Sequence, residues 1–352
     1  MPTMNSSISS SEASARHDGT PWRRFAVTLV AAAAIVLGLA LAIIYLIEPY
    51  DTGRSPFFSH AGMRALSPRL ANASRGRDLA FNAMIVGNSR IQLISPERLK
   101  KATGLDFVQM SVPGSGPKEQ LALIDWFLSH RRERPKALLV SIDETWCTSD
   151  PALPNVEPFP FWLYAASPFE YARGLLRWEA LEEVPARLSY LLGLNTERLR
   201  PDGYWDYDAE YTRKGDRMAA AHRQELRARP YAKAQRYERD PMAGTRFFPA
   251  ADRIGAVAAS LPDDAALVLV VPPLYINALP PEGTEQSFRL QACKAAVVEA
   301  ARRSHSRTAI VDWRTDRPEI RKTAWFFDRI HYRQPIAQAM EADIAEAFRT
   351  LR

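Results

Sequence analysis

The chain of 352 residues is 47% hydrophobic and 24% charged, a composition that supports a folded core and excludes a disordered, collagen-like or disulfide-framework protein. Lysine and arginine exceed aspartate and glutamate by 46 − 40 = 6 residues, and because this excess is spread along the chain, nucleic acid is not a predicted partner. The two cysteines, Cys147 and Cys293, lack the spacing of a zinc site or a redox motif, so we predict no metal and no other cofactor.

A long apolar segment follows the N-terminal tail. Residues 25–47 carry no charge, and such a run is long enough to cross a hydrocarbon core of about 30 Å. A cleavable signal peptide would end in small residues, whereas acidic and turn-forming residues follow this run, so we predict an uncleaved membrane anchor. Arg23 and Arg24 precede the run and Glu48 and Asp51 follow it, which predicts a cytoplasmic N-terminus and an extracytoplasmic domain. The alternative is a buried core helix of a soluble protein.

Five apolar runs typical of β-strands lie beyond the anchor. They are bounded by turn residues and occur at residues 80–86, 106–112, 137–142, 265–271 and 308–312. Helical patterns separate or follow them, at about residues 95–104, 117–131, 284–303 and 334–350. Strands that alternate with helices predict an α/β fold with a parallel sheet and helices on both of its faces.

The alternation of strands and helices is interrupted between residues 148 and 250. That stretch begins with several prolines, continues with two helical patterns near residues 168–193, and is too long for a plain loop, so we predict a mostly helical insertion. The predicted organisation therefore has six segments. They are a disordered cytoplasmic tail (1–24), the anchor (25–47), a linker (48–77), the first part of the α/β domain (78–147), the insertion (148–250) and the second part of the domain (251–352).

Two side-chain clusters in the insertion each have two interpretations. An aromatic cluster either stacks on sugar rings or forms the small core of the insertion; its members are Tyr204, Trp205, Tyr207 and Tyr211. A basic cluster either binds an anionic polysaccharide or lipid headgroups, or forms a solvated helix face; its members are Arg223, Arg227, Arg229, Arg236 and Arg239, interleaved with Tyr231 and Tyr237.

In a parallel sheet the ligand site lies beyond the carboxyl ends of the strands, so the residues that follow each strand are the candidates for catalytic and binding residues. A Gly-Asn-Ser turn follows the first strand and would hold the Ser89 hydroxyl at the edge of the sheet. A loop of small residues around Gly114 follows the second strand and lacks the glycine patterns that bind phosphate. Asp143 and Trp146 follow the third strand.

Asp328 and His331 lie three residues apart, directly before the last predicted helix. At that spacing a carboxylate can fix the orientation and tautomer of an imidazole whose second nitrogen faces a serine hydroxyl. Of the six histidines, only His331 has an aspartate at this spacing. The alternative is an aspartate that caps the last helix and a histidine in its first turn. Together with Ser89, the pair predicts a catalytic triad of serine, histidine and aspartate.

These motifs resemble those of the SGNH, or GDSL-like, hydrolase superfamily, and in particular its membrane-anchored extracytoplasmic members, such as the alginate O-acetylation proteins and the teichoic-acid D-alanylation protein. The matching residues are Gly87, Asn88 and Ser89 for the first block, Gly114 for the second, and Asp328 and His331 for the last. The resemblance covers most of residues 78–147 and 262–350 and leaves the insertion unmatched. It implies a flavodoxin-like three-layer α/β/α fold and ester hydrolysis or acyl transfer on a carbohydrate.

The resemblance also implies a site and a cellular setting. The backbone N–H groups of Ser89 and Gly114 would form the oxyanion hole. We expect the substrate pocket to include Asn88, Asp143, Trp146 and Tyr332. The implied partners are a polysaccharide or other glycan acceptor and a multi-pass membrane O-acyltransferase. The implied location is the bacterial inner membrane, with a single anchor and a periplasmic domain.

This sequence departs from the family at two positions. The aspartate of the GDS motif is Asn88, and the third-block asparagine of the oxyanion hole has no match, since the third strand is followed by Asp143 and Glu144. The sequence therefore predicts a serine O-acyltransferase or esterase, with a non-catalytic protein for glycan binding or assembly as the alternative. It leaves open whether Cys147 and Cys293 form a disulfide or remain free thiols.

Overall fold

The computed structural model describes residues 20–55, 57, 67–131, 134–148, 150–155, 157–194, 200–213, 224–233 and 247–351. These residues contain a five-stranded sheet in which every paired strand is parallel and the order is β2-β1-β3-β4-β5. The strands are β1 (Ala83–Val86), β2 (Phe107–Gln109), β3 (Ala137–Ser141), β4 (Ala266–Val271) and β5 (Thr308–Asp312). The predicted α/β fold with a parallel sheet is confirmed.

The α-helices lie before, between and after these strands. They are α1 (Thr20–Ile47), α2 (Pro68–Arg77), α3 (Pro96–Thr103), α4 (Pro117–Ser129), α5 (Thr145–Thr148), α6 (Phe161–Tyr164), α7 (Pro168–Leu175), α8 (Trp178–Leu191), α9 (Tyr207–Arg213), α10 (Pro249–Ser260), α11 (Glu285–Ser304) and α12 (Gln334–Thr350). The helical pattern near residues 168–193 corresponds to α7 and α8. Parts of the insertion, including Arg223, Arg236, Tyr237, Arg239 and the side chain of Tyr211, lie outside the described residues.

Both faces of the sheet are buried, as the continuous apolar strand sequences require. Side chains alternate between the faces along a strand, so that Met84 and Ile85 of β1 enter different cores. Ile124 of α4 packs in the same core as Met84, together with residues of α10 and α11. Ile344 of α12 and Leu99 of α3 pack in the core that contains Ile85. The sheet is thereby held between two layers of helices, which fix the position of the carboxyl ends of its strands.

The first two strands are shorter than the predicted runs. Asp78 forms a turn that takes up the residues before β1, because its side chain accepts a hydrogen bond from the N–H of Ala80 and its carbonyl accepts one from Phe81. After β2, the N–H groups of Met110 and Val112 continue to donate to the end of β1 and the residue beyond it, at 2.8 and 2.9 Å. The loop after β2 therefore stays close to the turn after β1.

The apolar helix α1 is joined to the domain through a buried polar junction. Asp51 is almost fully buried and binds Arg77 of α2 and Arg187 of α8, the latter at 3.3 Å. Glu48 is also buried, accepts a hydrogen bond from the N–H of Arg54 at 2.7 Å, and has a left-handed backbone with φ 49°. Ile44, in the last turn of α1, is buried in the core. Residues 48–55 and α2, within the predicted linker, are therefore packed parts of the domain.

The two cysteines are paired. Cys147 of α5 and Cys293 of α11 form a disulfide with their Cα atoms 5.6 Å apart. The bridge ties the segment after β3 to a helix that is 146 residues away along the chain. The structure thus answers the question that the sequence left open.

Candidate active site

Ser89 lies on a short 3-10 turn, Ser89–Ile91, that begins directly beyond β1. Asn88 caps this turn, since its side-chain oxygen accepts a hydrogen bond from the N–H of Arg90 at 3.1 Å. The side-chain nitrogen of Asn88 donates to Asp143, which follows β3. An aspartate at position 88 would instead place a second carboxylate beside Asp143 and repel it, whereas the amide of Asn88 donates a hydrogen bond to Asp143.

Gly87 allows this turn to approach β3 closely. A Cβ atom on Gly87 would lie 2.5 Å from Cβ of Ser141, a distance that side chains do not adopt without a shift. Its φ is not in the left-handed region. Gly87 is therefore needed for the contact between two adjacent strand ends, in addition to its place in the predicted turn.

The serine, histidine and aspartate singled out in the sequence are in hydrogen-bond contact. Oγ of Ser89 lies 2.9 Å from Nε2 of His331, and Nδ1 of His331 lies 2.7 Å from Oδ2 of Asp328. The other carboxylate oxygen of Asp328 accepts hydrogen bonds from the N–H groups of Ile330 and His331, at 2.8 and 2.7 Å. With the imidazole proton on Nδ1, Nε2 can accept the proton of the serine.

Asp328 is held in its ionised form. Burial alone raises the pKa of this carboxyl, but the hydrogen bond and charge of His331 and the two backbone N–H groups outweigh burial, so the pKa lies below its usual value. The side chains of His331 and Asp328 are 28% and 20% exposed, so the pair is shielded from water but can be reached by a substrate. This arrangement can hold the imidazole in one orientation while its free face exchanges a proton with Ser89.

Two tyrosines support the histidine and the serine turn. The hydroxyl of Tyr332 is buried and donates to the carbonyl of Arg90 at 2.5 Å. The hydroxyl of Tyr207 donates to the carbonyl of Tyr332 at 2.9 Å, and its ring stands nearly perpendicular to that of His331 with centroids 6.2 Å apart. Tyr207 belongs to the aromatic cluster of the insertion, so the insertion contributes directly to the surroundings of His331.

A group of three charged residues adjoins the serine turn. Both terminal nitrogens of Arg90 bind the carboxylate of Glu144, and Nη1 of Arg314 donates to the same carboxylate at 2.9 Å. Burial raises the pKa of Glu144, but the hydrogen bond and charge of Arg90 and the charge of Arg314 lower it to about 2. This ion cluster connects the ends of β1, β3 and β5 at the carboxyl edge of the sheet.

The loop that contains Gly114 runs beside the serine turn. The N–H of Val112 and the hydroxyl of Ser115 both donate to the carbonyl of Gly87, at 2.9 and 3.2 Å. Gly114 has φ 67°, a left-handed conformation that favours glycine. Among the described residues, the N–H groups of Ser89 and Gly114 donate to no protein acceptor.

The four side chains expected to line a pocket are all buried. Asn88, Asp143, Trp146 and Tyr332 are each less than a tenth exposed. The indole N–H of Trp146 donates to Gln120 at 2.9 Å inside the core that contains α4. Asn88, Asp143 and Tyr332 hold the serine turn from within, so these residues support the site instead of forming its solvent-facing wall.

Arg90, Glu144, Arg314 and Tyr207 belong to the site or its surroundings but were not predicted from the sequence. The first three each lie within two residues of a predicted site residue or of a strand end, so their positions in the sequence do carry a signal. Tyr207 gave no such signal, because only the folding of the insertion brings it to His331.

Within the described residues, no group of three or more His, Cys, Asp or Glu side chains is arranged to hold a metal ion. A scan of the sequence against protein-family models gave no match, and a search of curated proteins gave none either. The geometry of the site is therefore the basis for the functional conclusion.

Proposed function

We propose that the protein is a membrane-anchored serine O-acyltransferase or esterase of the SGNH type that acts on an exported or cell-envelope polysaccharide. One observation carries the proposal: Ser89, His331 and Asp328 form a continuous chain of hydrogen bonds at the carboxyl edge of a parallel sheet. The resemblance of these residues to the family motifs supports the same chemistry and the three-layer SGNH fold.

The proposed reaction has two halves. In the first, Oγ of Ser89 attacks the acyl carbonyl while Nε2 of His331 takes its proton, and the resulting oxyanion binds the N–H groups of Ser89 and Gly114. Collapse breaks the bond to the leaving group, which receives the proton from His331, and leaves the acyl group as an ester on Ser89. In the second half, a sugar hydroxyl or water attacks this ester with His331 as base, and Ser89 regains its proton.

The proposed location is the extracytoplasmic side of a bacterial inner membrane. Residues Pro21–Ile47 form a helix long and apolar enough to cross a membrane. Arg23 and Arg24 at its start favour a cytoplasmic N-terminus, and the disulfide favours an oxidising compartment for the domain. Tethering at that surface suits an acyl donor exported by a multi-pass membrane O-acyltransferase, with a glycan as the acceptor.

A second candidate function is non-catalytic binding or assembly of a glycan. The observation that favours it is the absence of the family's third oxyanion donor after β3, where Asp143 binds Asn88 and Glu144 binds Arg90. Two carboxylates near a developing oxyanion do not stabilise it, so catalysis would rest on two backbone donors.

The test of the proposed function uses the full chain in detergent. A fragment starting near residue 50 would lack Ile44 and Glu48, which are buried against the domain, and would expose the surface that they cover. Purified protein is mixed with p-nitrophenyl acetate, and both p-nitrophenol release and the intact mass are followed. Variants Ser89→Ala and His331→Ala are compared with Ser306→Ala, a matched serine substitution at an exposed position.

We expect an acetyl adduct on the wild-type protein that Ser89→Ala cannot form. Loss of the general base in His331→Ala should lower the release rate by about 10²–10⁴-fold. Ser306→Ala should behave like wild type. Equal rates in all four proteins, with no adduct, would refute the proposal and favour the binding function.

A further inference from the structure

Helix α8 carries an apolar stripe that is exposed along most of its length, whereas Leu181 within it packs partly against the domain core. Its buried side contains Ala180, Val184 and Arg187, as expected for helical spacing. A second row of apolar residues, spaced alternately by three and four, lies next to this side and consists of Trp178, Leu181, Pro185, Leu188 and Leu192. Trp178 and Leu192 are 68% and 65% exposed. Exposed apolar surface of this kind marks an interaction site.

The stripe lies next to the end of α1. The apolar helix from Pro21 to Ile47 has 27 residues, about seven more than the roughly 20 that a bilayer core requires. The described residues of α1 are exposed until its last two turns, where Leu41, Ile44 and Ile47 pack against the domain core. Elements α7 and α8 contact α1. Arg23 and Arg24 mark the opposite end of the helix, and the contacts with the domain fall in its last two turns, so α7 and α8 lie where α1 leaves the hydrocarbon.

The position of α8 relative to α1 is fixed by buried polar contacts. Arg187 of α8 is fully buried and binds Asp51, which lies four residues beyond the end of α1. Arg54 binds the carbonyls of Leu163 and Ala165, at 3.2 and 2.5 Å, and so connects the same segment to the residues before α7. Movement of α8 away from the end of α1 would therefore break the buried ion pair between Arg187 and Asp51.

Further exposed residues around the junction have the character of an interfacial belt. Phe57 and Phe169 are 67% and 76% exposed, and Phe57 is held near the end of α1 because its N–H donates to Ser55, whose hydroxyl donates to the carbonyl of Leu46. Arg173 in the last turn of α7 and Arg177 directly before α8 are also exposed. Aromatic and basic side chains of this kind accumulate at the level of lipid headgroups.

We propose that the surface formed by Phe57, Phe169, Trp178, Leu188 and Leu192, here called the membrane-facing surface, is immersed in the headgroup region of the bilayer that α1 spans. The chemical class of the partner is phospholipid. An amphipathic surface helix buries its apolar face about 5–10 Å into this region. Of the three glutamates of α8, Glu179 and Glu183 lie on a different side of the helix from the apolar stripe at 100° per residue, so they need not enter the lipid. The third, Glu182, borders the stripe and accepts a hydrogen bond from the indole N–H of Trp178, so its carboxylate would lie at the level of the headgroups.

This inference rests on the membrane anchor in the proposed function but not on the serine chemistry. Two attachments, α1 and the membrane-facing surface, would hold the domain in one orientation on the bilayer. The carboxyl edge of the sheet would then meet the membrane and any embedded acyl donor at a fixed angle. A single flexible anchor would impose no such angle.

The test places a fluorescent label at single positions in the full chain and reconstitutes it in phosphatidylcholine vesicles. The native cysteines remain in their disulfide, and a free thiol is introduced by Leu188→Cys or Leu192→Cys. Val30→Cys in α1 reports the spanning helix, and Arg303→Cys in the exposed part of α11 is the matched water-facing control. For each label, the loss of fluorescence is measured with lipids that carry a spin label near the headgroup and with lipids that carry it near the end of the acyl chain.

We expect the labels at positions 188 and 192 to lose at least about half of their emission to the headgroup spin label, and less to the chain-end label, as a shallow depth requires. The label at position 30 should be quenched most by the chain-end label, and the label at position 303 by neither. Labels at 188 and 192 that match position 303 while position 30 is quenched would overturn the inference and leave the anchor intact. Absence of quenching at position 30 would overturn the anchor, and with it this inference.

Discussion

The molecule contains two clusters of arginines and carboxylates that differ in how much of the carboxylate remains exposed to solvent. At the junction after α1, Asp51 is about 1% exposed and binds Arg77 and Arg187. At the carboxyl edge of the sheet, Glu144 binds Arg90 and Arg314 but keeps 45% of its side chain exposed. The junction is sealed, whereas the sheet edge stays open beside a nucleophilic side chain.

The difference separates a structural network from a functional one. In the junction, the charged groups serve to hold α1, α2 and α8 together, and a buried pair is costly to break because its partner is left uncompensated. At the sheet edge, His331 is 28% exposed and its Nε2 contacts the half-buried Ser89, so a substrate can replace water there. Stability should therefore depend on the junction, and activity on the sheet edge.

The largest effect that we expect is on activity, from Asp328→Asn. The asparagine oxygen can still accept the N–H groups of Ile330 and His331, but its amide nitrogen then faces Nδ1 of His331. That contact favours the tautomer with the proton on Nε2, which cannot accept the proton of Ser89. We expect kcat/KM for p-nitrophenyl acetate to fall by about 10⁴-fold.

The control for this variant is Asp316→Asn, at an exposed aspartate that pairs with Arg321. Asp316→Asn should keep the thermal unfolding midpoint of the wild type in detergent, and Asp328→Asn should lower it slightly, because the ionised Asp328 with its lowered pKa stabilises the fold at neutral pH. A loss of stability in Asp328→Asn as large as that of Asp51→Ala would mean that Asp328 is part of the structural network.

The second effect is on stability, from Asp51→Ala. Burial raises the pKa of Asp51 more than its contacts with Arg77, Ser74 and Arg187 lower it, so this carboxylate is already costly to ionise. Removing it breaks the ion pairs with the fully buried Arg187 and with Arg77 of α2, which should reduce the free energy of unfolding by about 3–5 kcal/mol. Chemical denaturation in detergent measures the change.

Asp264→Ala is the matched control for the junction. Asp264 pairs with Lys136 at 3.1 Å on the surface, where both side chains are exposed. Its replacement should leave the denaturation midpoint of the wild type. The comparison between the two regions would fail if both alanine variants were equally stable, or if Asp51→Ala lost ester hydrolysis per folded molecule while it remained stable.

Local sequence patterns predicted those strands and helices whose formation depends mainly on residues close together in the chain. The strand at 137–142 and the helix at 334–350 have continuous apolar or helical spacing and clear turn residues, and the structure has them at Ala137–Ser141 and Gln334–Thr350. The rule that chemistry lies at the ends of parallel strands led to Ser89, which lies 2.9 Å from His331. A turn or cap formed by adjacent residues is visible in sequence because its cause is local.

The residues that escaped prediction depend on contacts between distant parts of the chain. Arg187 meets Asp51 across 136 residues, and Arg314 meets Glu144 across 170. Their positions at strand ends make Glu144 and Arg314 candidate site residues, but no local pattern shows which residues pair, because the pairing is set by the packing of whole elements. For the same reason the sequence could not show that Trp146 faces the core or that Tyr207 faces His331.

The smallest effect that we expect concerns the ion cluster at the sheet edge and depends on pH. The pKa of Glu144 is lowered from 4.5 to about 2 in the folded protein, so its ionised form stabilises the fold above its unfolded pKa, and this stabilisation is lost as the pH falls through the folded pKa. Glu144→Gln should therefore be less stable than wild type near neutral pH. Because 45% of the side chain is exposed, water screens the cluster and the difference should be about 1 kcal/mol.

Thermal unfolding of both proteins from about pH 7 down to about pH 3 measures this difference at each pH, so the effects of other carboxyl groups cancel. The gap between the two proteins should be widest at neutral pH and should begin to narrow below about pH 4.5, where the unfolded chain takes up the proton that the folded wild type does not. A gap that is independent of pH would show that Glu144 acts through packing and not through its charge. A gap as large as that of Asp51→Ala would remove the distinction between the sealed junction and the open edge of the sheet.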